Sequence, residues 1–200
     1  MEYEFTANWL NIYKLSWTRI FDHFKPRKVL EIGAYEGRTT CFFIESLSGT
    51  PNLEIHCVDS WTGGEEHADV SMADVERRFR QNINVALGAP GATTAKVIMS
   101  KGESFDVLNG LYAQGHRNTF DLTYVDGSHQ ACDVLGDLVH AYRLSRVGAL
   151  IVCDDYLWQH PKGLLHEPRI AIDAFSAIFR ERLAPVIDLP LRQIAFKKIA

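Results

Sequence analysis

The sequence predicts a single α/β domain built around a mostly parallel sheet. Through most of the 200 residues, apolar runs typical of buried strands alternate with segments of helical periodicity, a pattern that favours parallel strands joined by helical crossovers. Residues 147–153 are apolar without interruption, as expected for a strand that helices cover on both faces. No internal repeat, low-complexity tract or interdomain linker divides the chain, so we expect one domain over residues 1–200.

The first predicted element is an aromatic-rich helix over residues 4–24, which Pro26 ends. An aromatic stripe along this helix favours a packing surface or a dimer face over a cofactor site: Trp9, Tyr13, Trp17 and Phe21. We therefore separate an N-terminal helical extension, residues 1–26, from a core formed by residues 27–200.

The first half of the core alternates strands with helices. Short apolar runs that end at a glycine or an acid predict strands over residues 28–33 and 53–58. Between them, residues 37–47 place their apolar side chains on one helical face. Residues 60–69 contain glycines and little periodicity and predict a loop, whereas residues 71–87 repeat an apolar side chain every four positions and predict a helix.

The second half continues the alternation. Apolar runs predict strands over residues 95–99 and 120–125, in addition to the strand over residues 147–153. Helical periodicity predicts helices over residues 104–113, 130–143 and 170–183. After them, Pro190 is expected at the tip of a terminal hairpin with strands over residues 186–189 and 192–199.

Composition and charge exclude several classes of function. The chain is 46% hydrophobic and 23% charged, which argues against disorder and coiled coil. Its 21 Lys and Arg against 25 Asp and Glu give a net charge of −4. This balance lacks the excess of basic residues that is typical of proteins that bind nucleic acid or an anionic membrane. The chain starts without the basic and apolar regions of a signal peptide, and its four cysteines lack metal-ligand spacing. We therefore expect a cytoplasmic protein.

Acidic residues follow nearly every predicted strand. Ligands of an open parallel sheet bind beyond the carboxyl ends of its strands, so these side chains are expected to face one cleft. Such a cleft suits hydroxyls, amines or cations. The acids are Glu31, Asp59, Glu103, Asp126, Asp154 and Asp155.

The turn after the first strand carries two glycines four positions apart, Gly33 and Gly37. A dinucleotide site needs a middle glycine, which is missing here, so a nicotinamide dehydrogenase is disfavoured. The preceding carboxylate of Glu31 repels a pyrophosphate but suits an ammonium or a sulfonium. Asp59 follows Gly37 by 22 residues, about the interval at which an acid meets ribose hydroxyls. A plain tight turn and a loop cap explain each signal alone; together they favour a nucleoside ligand.

Residues 29–39, 125–129 and 148–155, together with Asp59, resemble the class I S-adenosylmethionine-dependent methyltransferases. The resemblance is to the branch of small bacterial O-methyltransferases related to macrolide- and aminocoumarin-sugar enzymes and, more distantly, to catechol methyltransferases. It implies a Rossmann-like methyltransferase fold: a mostly parallel seven-stranded sheet with an antiparallel C-terminal strand and helices on both faces. It also implies S-adenosylmethionine as cofactor, a small-molecule methyl acceptor, and no nucleic acid or membrane partner; a homodimer remains open.

The resemblance further implies donor-binding roles for residues at the first three strand ends. Glu31, Gly33 and Gly37 would bind the methionine end of the donor, with Glu31 either ordering the loop or contacting the amino group. Asp59 would accept hydrogen bonds from the ribose hydroxyls. The adenine would lie beside Ser60 or Trp61 and against the turn of Gly102, Glu103 and Ser104.

Asp126, Asp154 and Asp155 match the positions at which the metal-dependent branch holds a divalent cation, with Asp126 also close to the cofactor. Three carboxylates at neighbouring strand ends repel one another unless a cation neutralises them, and Mg²⁺ prefers oxygen ligands. In the alternative interpretation, Asp126 is a turn residue and one of the other two acids is a cap. The protein would then be a metal-independent methyltransferase, or a binding protein for S-adenosylmethionine or S-adenosylhomocysteine without turnover.

The general base is left open. In the sugar-modifying relatives the residue two after the first metal acid is another Asp, whereas this chain has Ser128, a poor base. His129 has a suitable intrinsic pKa and is, with Asp126, the catalytic candidate, unless it caps the following helix. His160 and His166 are further candidates in the loop over residues 156–168, which is expected to be either a substrate lid or a plain connection.

Overall fold

A computed structural model describes residues 2–64, 67–90, 92, 95–187, 189–190 and 192–200. The strands are β1 (Lys28–Ile32), β2 (Glu54–Asp59), β3 (Lys96–Lys101), β4 (Phe120–Val125), β5 (Ser145–Cys153), β6 (Leu183–Val186) and β7 (Ile194–Lys198). The helices are α1 (Lys14–Phe24), α2 (Arg38–Ser46), α3 (Met72–Leu87), α4 (Ser104–Ala113), α5 (Ala131–Leu144) and α6 (Pro168–Ile178). Short 3-10 turns cover Leu10–Ile12 and Leu164–His166.

The seven strands form one sheet in the order β3-β2-β1-β4-β5-β7-β6. The five strands β1 to β5 run parallel, and β7 lies antiparallel to both β5 and β6. The predicted mixed sheet with an antiparallel C-terminal strand is therefore confirmed. The chain leaves β1 outward through β2 and β3 and then returns to β4 on the other side. This reversal between β1 and β4 is the switch point at which open α/β sheets bind ligands.

Two apolar layers enclose the sheet. On one face, alternate strand residues such as Val29, Tyr124 and Val152 pack against side chains of α1, α2 and α3. On the other face, residues such as Leu30 and Ile151 pack against α4, α5 and α6. Because both faces are covered, the second half of the central strand β5 is a continuous apolar run, as predicted.

The N-terminal helix is shorter than predicted. Helix α1 begins at Lys14 rather than near residue 4, because side chains of the core hold the preceding segment in a non-helical course. The Asn82 side chain accepts from the backbone N–H of Glu4 at 2.7 Å and donates to the Glu4 carbonyl at 3.0 Å. Glu36 accepts from the backbone N–H of Thr6 at 2.8 Å. The side chains of Trp17 and Phe21 are buried in the core of the chain itself.

The C-terminal bounds also differ from the prediction. Helix α6 ends at Ile178 instead of residue 183, and β6 begins at Leu183. Residues 179–182 contain two arginines and a glutamate, residue types that are common in helices, and no Gly or Pro marks the helix end, so the sequence pattern alone misplaced this boundary. The hairpin pairing of β6 with β7 was predicted correctly, although its strands are shifted; Asp188 and Leu191 lie outside the described residues.

Within the described ranges, no helix combines the length and the apolar character that crossing a bilayer requires.

Candidate active site

A cleft of about 1090 Å³ opens at the carboxyl ends of the parallel strands. It spans the switch point and reaches from the end of β3 to the segment before β7. The structure brings most of the sequence-predicted site residues together on its walls: Gly33, Asp59, Ser60, Gly102, Glu103, Ser104, Asp126, His129, Asp154 and Asp155.

Three predicted donor-site residues, Glu31, Gly37 and Trp61, do not line this cleft. Gly37 caps α2 with a φ of +77°, and a Cβ there would lie 2.9 Å from the Phe79 ring. The Trp61 indole is buried, and its Nε1 donates to the carbonyl of Tyr35 at 2.9 Å. These three residues lie behind the side chains that line the cleft and support them.

Glu31 lies fully buried beneath the cleft. Its Oε2 accepts from the Thr40 hydroxyl and, at 3.5 Å, from the Cys57 thiol. Its Oε1 is buried with no hydrogen-bond partner among the described residues. Burial raises the pKa of Glu31 to about 8, so the carboxyl is mostly neutral at pH 7. Glu31 therefore does not supply the negative charge that a cationic donor needs.

Asp59 holds the glycine turn together. Its Oδ2 accepts from the backbone N–H groups of Ala34 at 2.9 Å and Tyr35 at 2.8 Å, and its Oδ1 accepts from that of Trp61 at 2.7 Å. A carboxylate has about four lone-pair positions, so three bonds leave room for one more donor. Asp59 thus orders the loop and keeps an acceptor at the cleft.

Gly33 marks the closest approach between the glycine turn and the end of β4. It adopts a φ of +86°, and a Cβ built there would lie 1.9 Å from the Asp126 carbonyl oxygen. No side chain fits at this position. The absence of a side chain lets the turn after β1 lie directly against Asp126.

Asp126 and Asp154 share a donor, the phenol of Tyr124. The Tyr124 hydroxyl lies 3.1 Å from Asp126 Oδ2 and also donates to Asp154 Oδ2. Gln193 Nε2 donates to the same Asp154 oxygen at 2.8 Å. Burial, followed by repulsion between the neighbouring acids, raises the pKa of both Asp126 and Asp154. Both carboxyls therefore hold a proton more tightly than an ordinary aspartate does.

His129 is paired with Asp155 instead of capping α5. Its Nε2 lies 2.9 Å from Asp155 Oδ2, and its ring stacks on Trp158 with centroids 4.3 Å apart. The position before α5 belongs to Gln130, whose backbone N–H donates to the Ser128 hydroxyl at 3.0 Å. A histidine oriented by a carboxylate is the arrangement of a general base.

The other base candidates lie next to residues that line the cleft, His166 beside Gln130 and His160 beside Trp158. His160 and His166 are not among the residues that line it. His166 Nδ1 lies 2.6 Å from Gln130 Oε1, and the His160 and His166 rings pack with centroids 5.3 Å apart. These contacts hold the loop after β5 against α5.

Sequence reasoning missed several residues that line the cleft. Trp9, Ile12 and Tyr13 enter from the N-terminal extension, and Arg192 enters from the segment before β7. Asp137, on α5, is also in the lining; burial raises its pKa to about 7, and it hydrogen-bonds to Ser104. An acid on the apolar face of a predicted helix was an available signal for Asp137. Trp9 and Tyr13 belong to the aromatic stripe that was interpreted as a packing surface or a dimer face, although both line the cleft. For Ile12 and Arg192 the sequence carries no signal, because only tertiary contacts bring the chain ends to the cleft.

Comparisons with known proteins agree with this fold. A family model described as a methyltransferase domain matches residues 30–156, more than half of the chain. No curated protein sequence matches significantly. An O-methyltransferase from Bacillus cereus, solved with S-adenosylhomocysteine, is similar at a TM-score of 0.64 and 20% identity, over 92% of this chain and 80% of that one.

Two further solved structures show the same likeness of fold. TomG, an O-methyltransferase of Streptomyces achromogenes involved in tomaymycin synthesis, aligns with a TM-score of 0.62 and 18% identity, over 92% of this chain and 78% of its own. The O-methyltransferase NovP aligns with a TM-score of 0.66 and 14% identity, over 94% and 80%. The family match and the sheet topology confirm the expected class of enzyme, and the chain belongs to the methyltransferase-domain family.

Proposed function

We propose that the protein transfers a methyl group from S-adenosylmethionine to a hydroxyl oxygen of a small molecule, assisted by a divalent cation. The observation that carries the proposal is the contact at Gly33, which places the Asp59-ordered turn directly against Asp126. A nucleoside site and an acidic cluster therefore share one cleft. Similar solved structures are O-methyltransferases, which supports oxygen as the accepting atom.

The donor half of the cleft lies over β1, β2 and β3. There we assign the ribose hydroxyls to Asp59, which keeps an unused acceptor position, and the methionine end to the turn at Gly33. The adenine would lie against Ser60 and the turn that starts α4, Gly102, Glu103 and Ser104. Glu31, Gly37 and Trp61 would act indirectly, by fixing the wall behind the donor.

In the reaction, the hydroxyl oxygen attacks the sulfonium methyl carbon, and a carbon–oxygen bond forms. The carbon–sulfur bond breaks, its electron pair stays on sulfur, and the hydroxyl proton leaves. The products are a methylated acceptor, S-adenosylhomocysteine and a proton. Because the sulfonium is already a strong electrophile, the protein mainly has to position the oxygen and remove its proton.

His129 is our candidate for the proton acceptor. If Nε2 bears the proton that is donated to Asp155, Nδ1 is the basic nitrogen of the ring; Nδ1 is buried, so the acceptor has to displace the side chains that cover it. The nearby Asp155 carboxylate stabilises the imidazolium that forms when the proton arrives.

The donor set of Asp126, Asp154 and Asp155 fits a hard cation. Mg²⁺ commonly takes one or two carboxylates and completes its shell with water and substrate oxygens. Among the described residues, no group of three or more His, Cys, Asp or Glu side chains could hold a metal ion, so Asp126, Asp154 and Asp155 do not converge on one ion and the proposed cation would be held by fewer of them. Burial is the first cause of the raised pKa of Asp126 and Asp154 and repulsion between the acids the second, and a cation would relieve the repulsion. When bound, the cation would lower the pKa of a coordinated hydroxyl.

A second candidate function is methyl transfer without a metal. The pairing of His129 with Asp155 favours it, since an oriented base can remove the proton unaided. Both candidates use the same donor site and differ only in their need for a cation.

The test is a calorimetric titration with S-adenosylhomocysteine, with and without Mg²⁺, followed by methyl-transfer assays in EDTA. We expect binding in both titrations and loss of turnover in EDTA that Mg²⁺ restores. Full activity in EDTA would support the metal-independent candidate. Failure to bind S-adenosylhomocysteine would overturn both.

A further inference from the structure

We propose that the methyl acceptor is a planar hydroxylated acid, such as a dihydroxybenzoate, and that Arg192 binds its anionic group. The inference rests on the proposed function and names the class of acceptor. It depends on three features of the cleft: the position of Arg192, the positive charge of Arg192 in a lining that is otherwise acidic, and the aromatic side chains nearby.

Arg192 lies at the acceptor end of the cleft. In the sheet order, the strands assigned to the donor, β3-β2-β1, occupy one end, and β5 and β7 lie beyond β4 on the other side. Arg192 precedes β7, and its carbonyl accepts from the backbone N–H of Tyr156 at 3.0 Å. Its neighbour Gln193 donates to Asp154. The arginine is therefore anchored beside the acids at which the reaction is proposed to occur.

Arg192 is also the single Lys or Arg among the described residues that line the cleft. Its side chain is exposed and forms no ion pair with a described residue. The acids near it are engaged elsewhere: Asp154 accepts from Tyr124 and Gln193, and Asp155 pairs with His129. One guanidinium with no ion-pair partner among the described residues, in an otherwise acidic cleft, favours a ligand with one anionic group, because arginine binds carboxylates through two parallel hydrogen bonds.

The aromatic side chains at this end fit a flat ring. Trp158 stacks on His129 at an interplanar angle of 26°, and both line the cleft. Tyr13 of the N-terminal extension lines it as well, close enough to Asp154 and Arg192 for their charges to act on its phenol. Flat aromatic surfaces bind planar ligands by stacking and by excluding water. A ring held there would have its hydroxyls near Asp126 and His129 and its carboxylate at Arg192.

The probes are 3,4-dihydroxybenzoate and 3,4-dihydroxybenzamide, which have nearly the same shape and differ in charge. Each is titrated into the full chain saturated with S-adenosylhomocysteine and Mg²⁺, and kcat/KM is measured with S-adenosylmethionine. We expect the acid to bind about tenfold more tightly than the amide, since a charged hydrogen bond contributes roughly that much.

The Arg192→Gln variant should bring the ratio of the two affinities close to one, with little change in the affinity for the amide or for S-adenosylhomocysteine. The Arg192→Lys variant should keep part of the preference. The matched control is Arg169→Gln, an exposed arginine of α6 that does not line the cleft and should leave the ratio unchanged.

Equal affinities in the wild type, or a preference that survives Arg192→Gln, would overturn the inference. So would a protein that binds S-adenosylhomocysteine but neither probe. If S-adenosylhomocysteine itself does not bind, the proposed function fails first, so the two failures are distinguishable.

Discussion

The indole Nε1 of Trp17 donates a 3.0 Å hydrogen bond to the side-chain oxygen of Gln193, although 176 positions separate the two residues. Both side chains are buried, and the amide nitrogen of Gln193 donates onward to Asp154 at 2.8 Å. The N-terminal extension and the C-terminal strand thus meet beneath the acidic cluster. Since a buried carboxylate needs donors to remain charged, both chain ends help to set the state of Asp154.

This contact predicts coupling between the two chain ends. Gln193→Leu leaves the buried Trp17 N–H without its acceptor and removes a donor from Asp154, so we expect a loss of about 2–3 kcal/mol in the free energy of unfolding. In urea denaturation, Trp17→Phe combined with Gln193→Leu should cost less than the sum of the single changes, because both remove the same bond. Strict additivity would show that the hydrogen bond contributes nothing.

Asp59→Ala should weaken the binding of S-adenosylhomocysteine by about 1.5–3 kcal/mol, because a charged acceptor for the ribose is lost together with the brace of the glycine turn. Calorimetry measures this change. The control is Asp121→Ala, since Asp121 likewise accepts backbone N–H groups, from Arg27 and Lys28, but does not line the cleft. Equal affinity in wild type and Asp59→Ala would place the donor elsewhere.

The double change Asp154→Asn with Asp155→Asn should abolish Mg²⁺-dependent turnover. It removes two carboxylates from the proposed cation site and leaves the donor half of the cleft untouched, so the affinity for S-adenosylhomocysteine should stay within about twofold. Initial rates with increasing Mg²⁺, together with a calorimetric titration, separate the two effects. An unchanged rate in the double variant would contradict the metal-assisted proposal.

Glu31 should make the protein less stable as the pH rises. Its pKa is about 8 in the folded state against an ordinary value of 4.5, so the folded state binds more protons between these two values. The free energy of unfolding should therefore fall with pH in this window, by up to about 1.4 kcal/mol per pH unit from this one group. Glu31→Gln should remove that contribution, and urea denaturation from pH 5 to pH 8 measures the slopes.

The control for this experiment is Glu181→Gln, which changes an exposed carboxyl and should keep the slope of the wild type. Identical slopes in wild type and Glu31→Gln would mean that Glu31 does not carry the extra proton.

Gly33→Ala should destabilise the fold far more than Gly49→Ala. Both glycines have a positive φ, +86° and +82°, so both changes introduce the same backbone strain, roughly 1–2 kcal/mol. A Cβ at Gly33 would also lie 1.9 Å from the Asp126 carbonyl, whereas nothing lies within 4 Å of a Cβ at Gly49. Chemical denaturation gives the difference. Equal losses would disprove the close approach at Gly33.

The sequence was sufficient to predict the sheet and most of the acids around the cleft. Helix α4 and strand β4 have the predicted bounds, because local periodicity and the residues that stop each run are properties of nearby sequence. The fold rule that ligands bind beyond strand ends then selected Asp59, Asp126, Asp154 and Asp155 without coordinates.

Only the tertiary structure decided what each acid does and which distant residues join them. Glu31 was predicted at a strand end like Asp59, yet it lies within β1, under α2, and burial there keeps its carboxyl mostly neutral. The roles of Trp17, Gln193 and Arg192 likewise depend on contacts between opposite ends of the chain. Local periodicity cannot report such contacts, since they form only when the whole sheet has assembled.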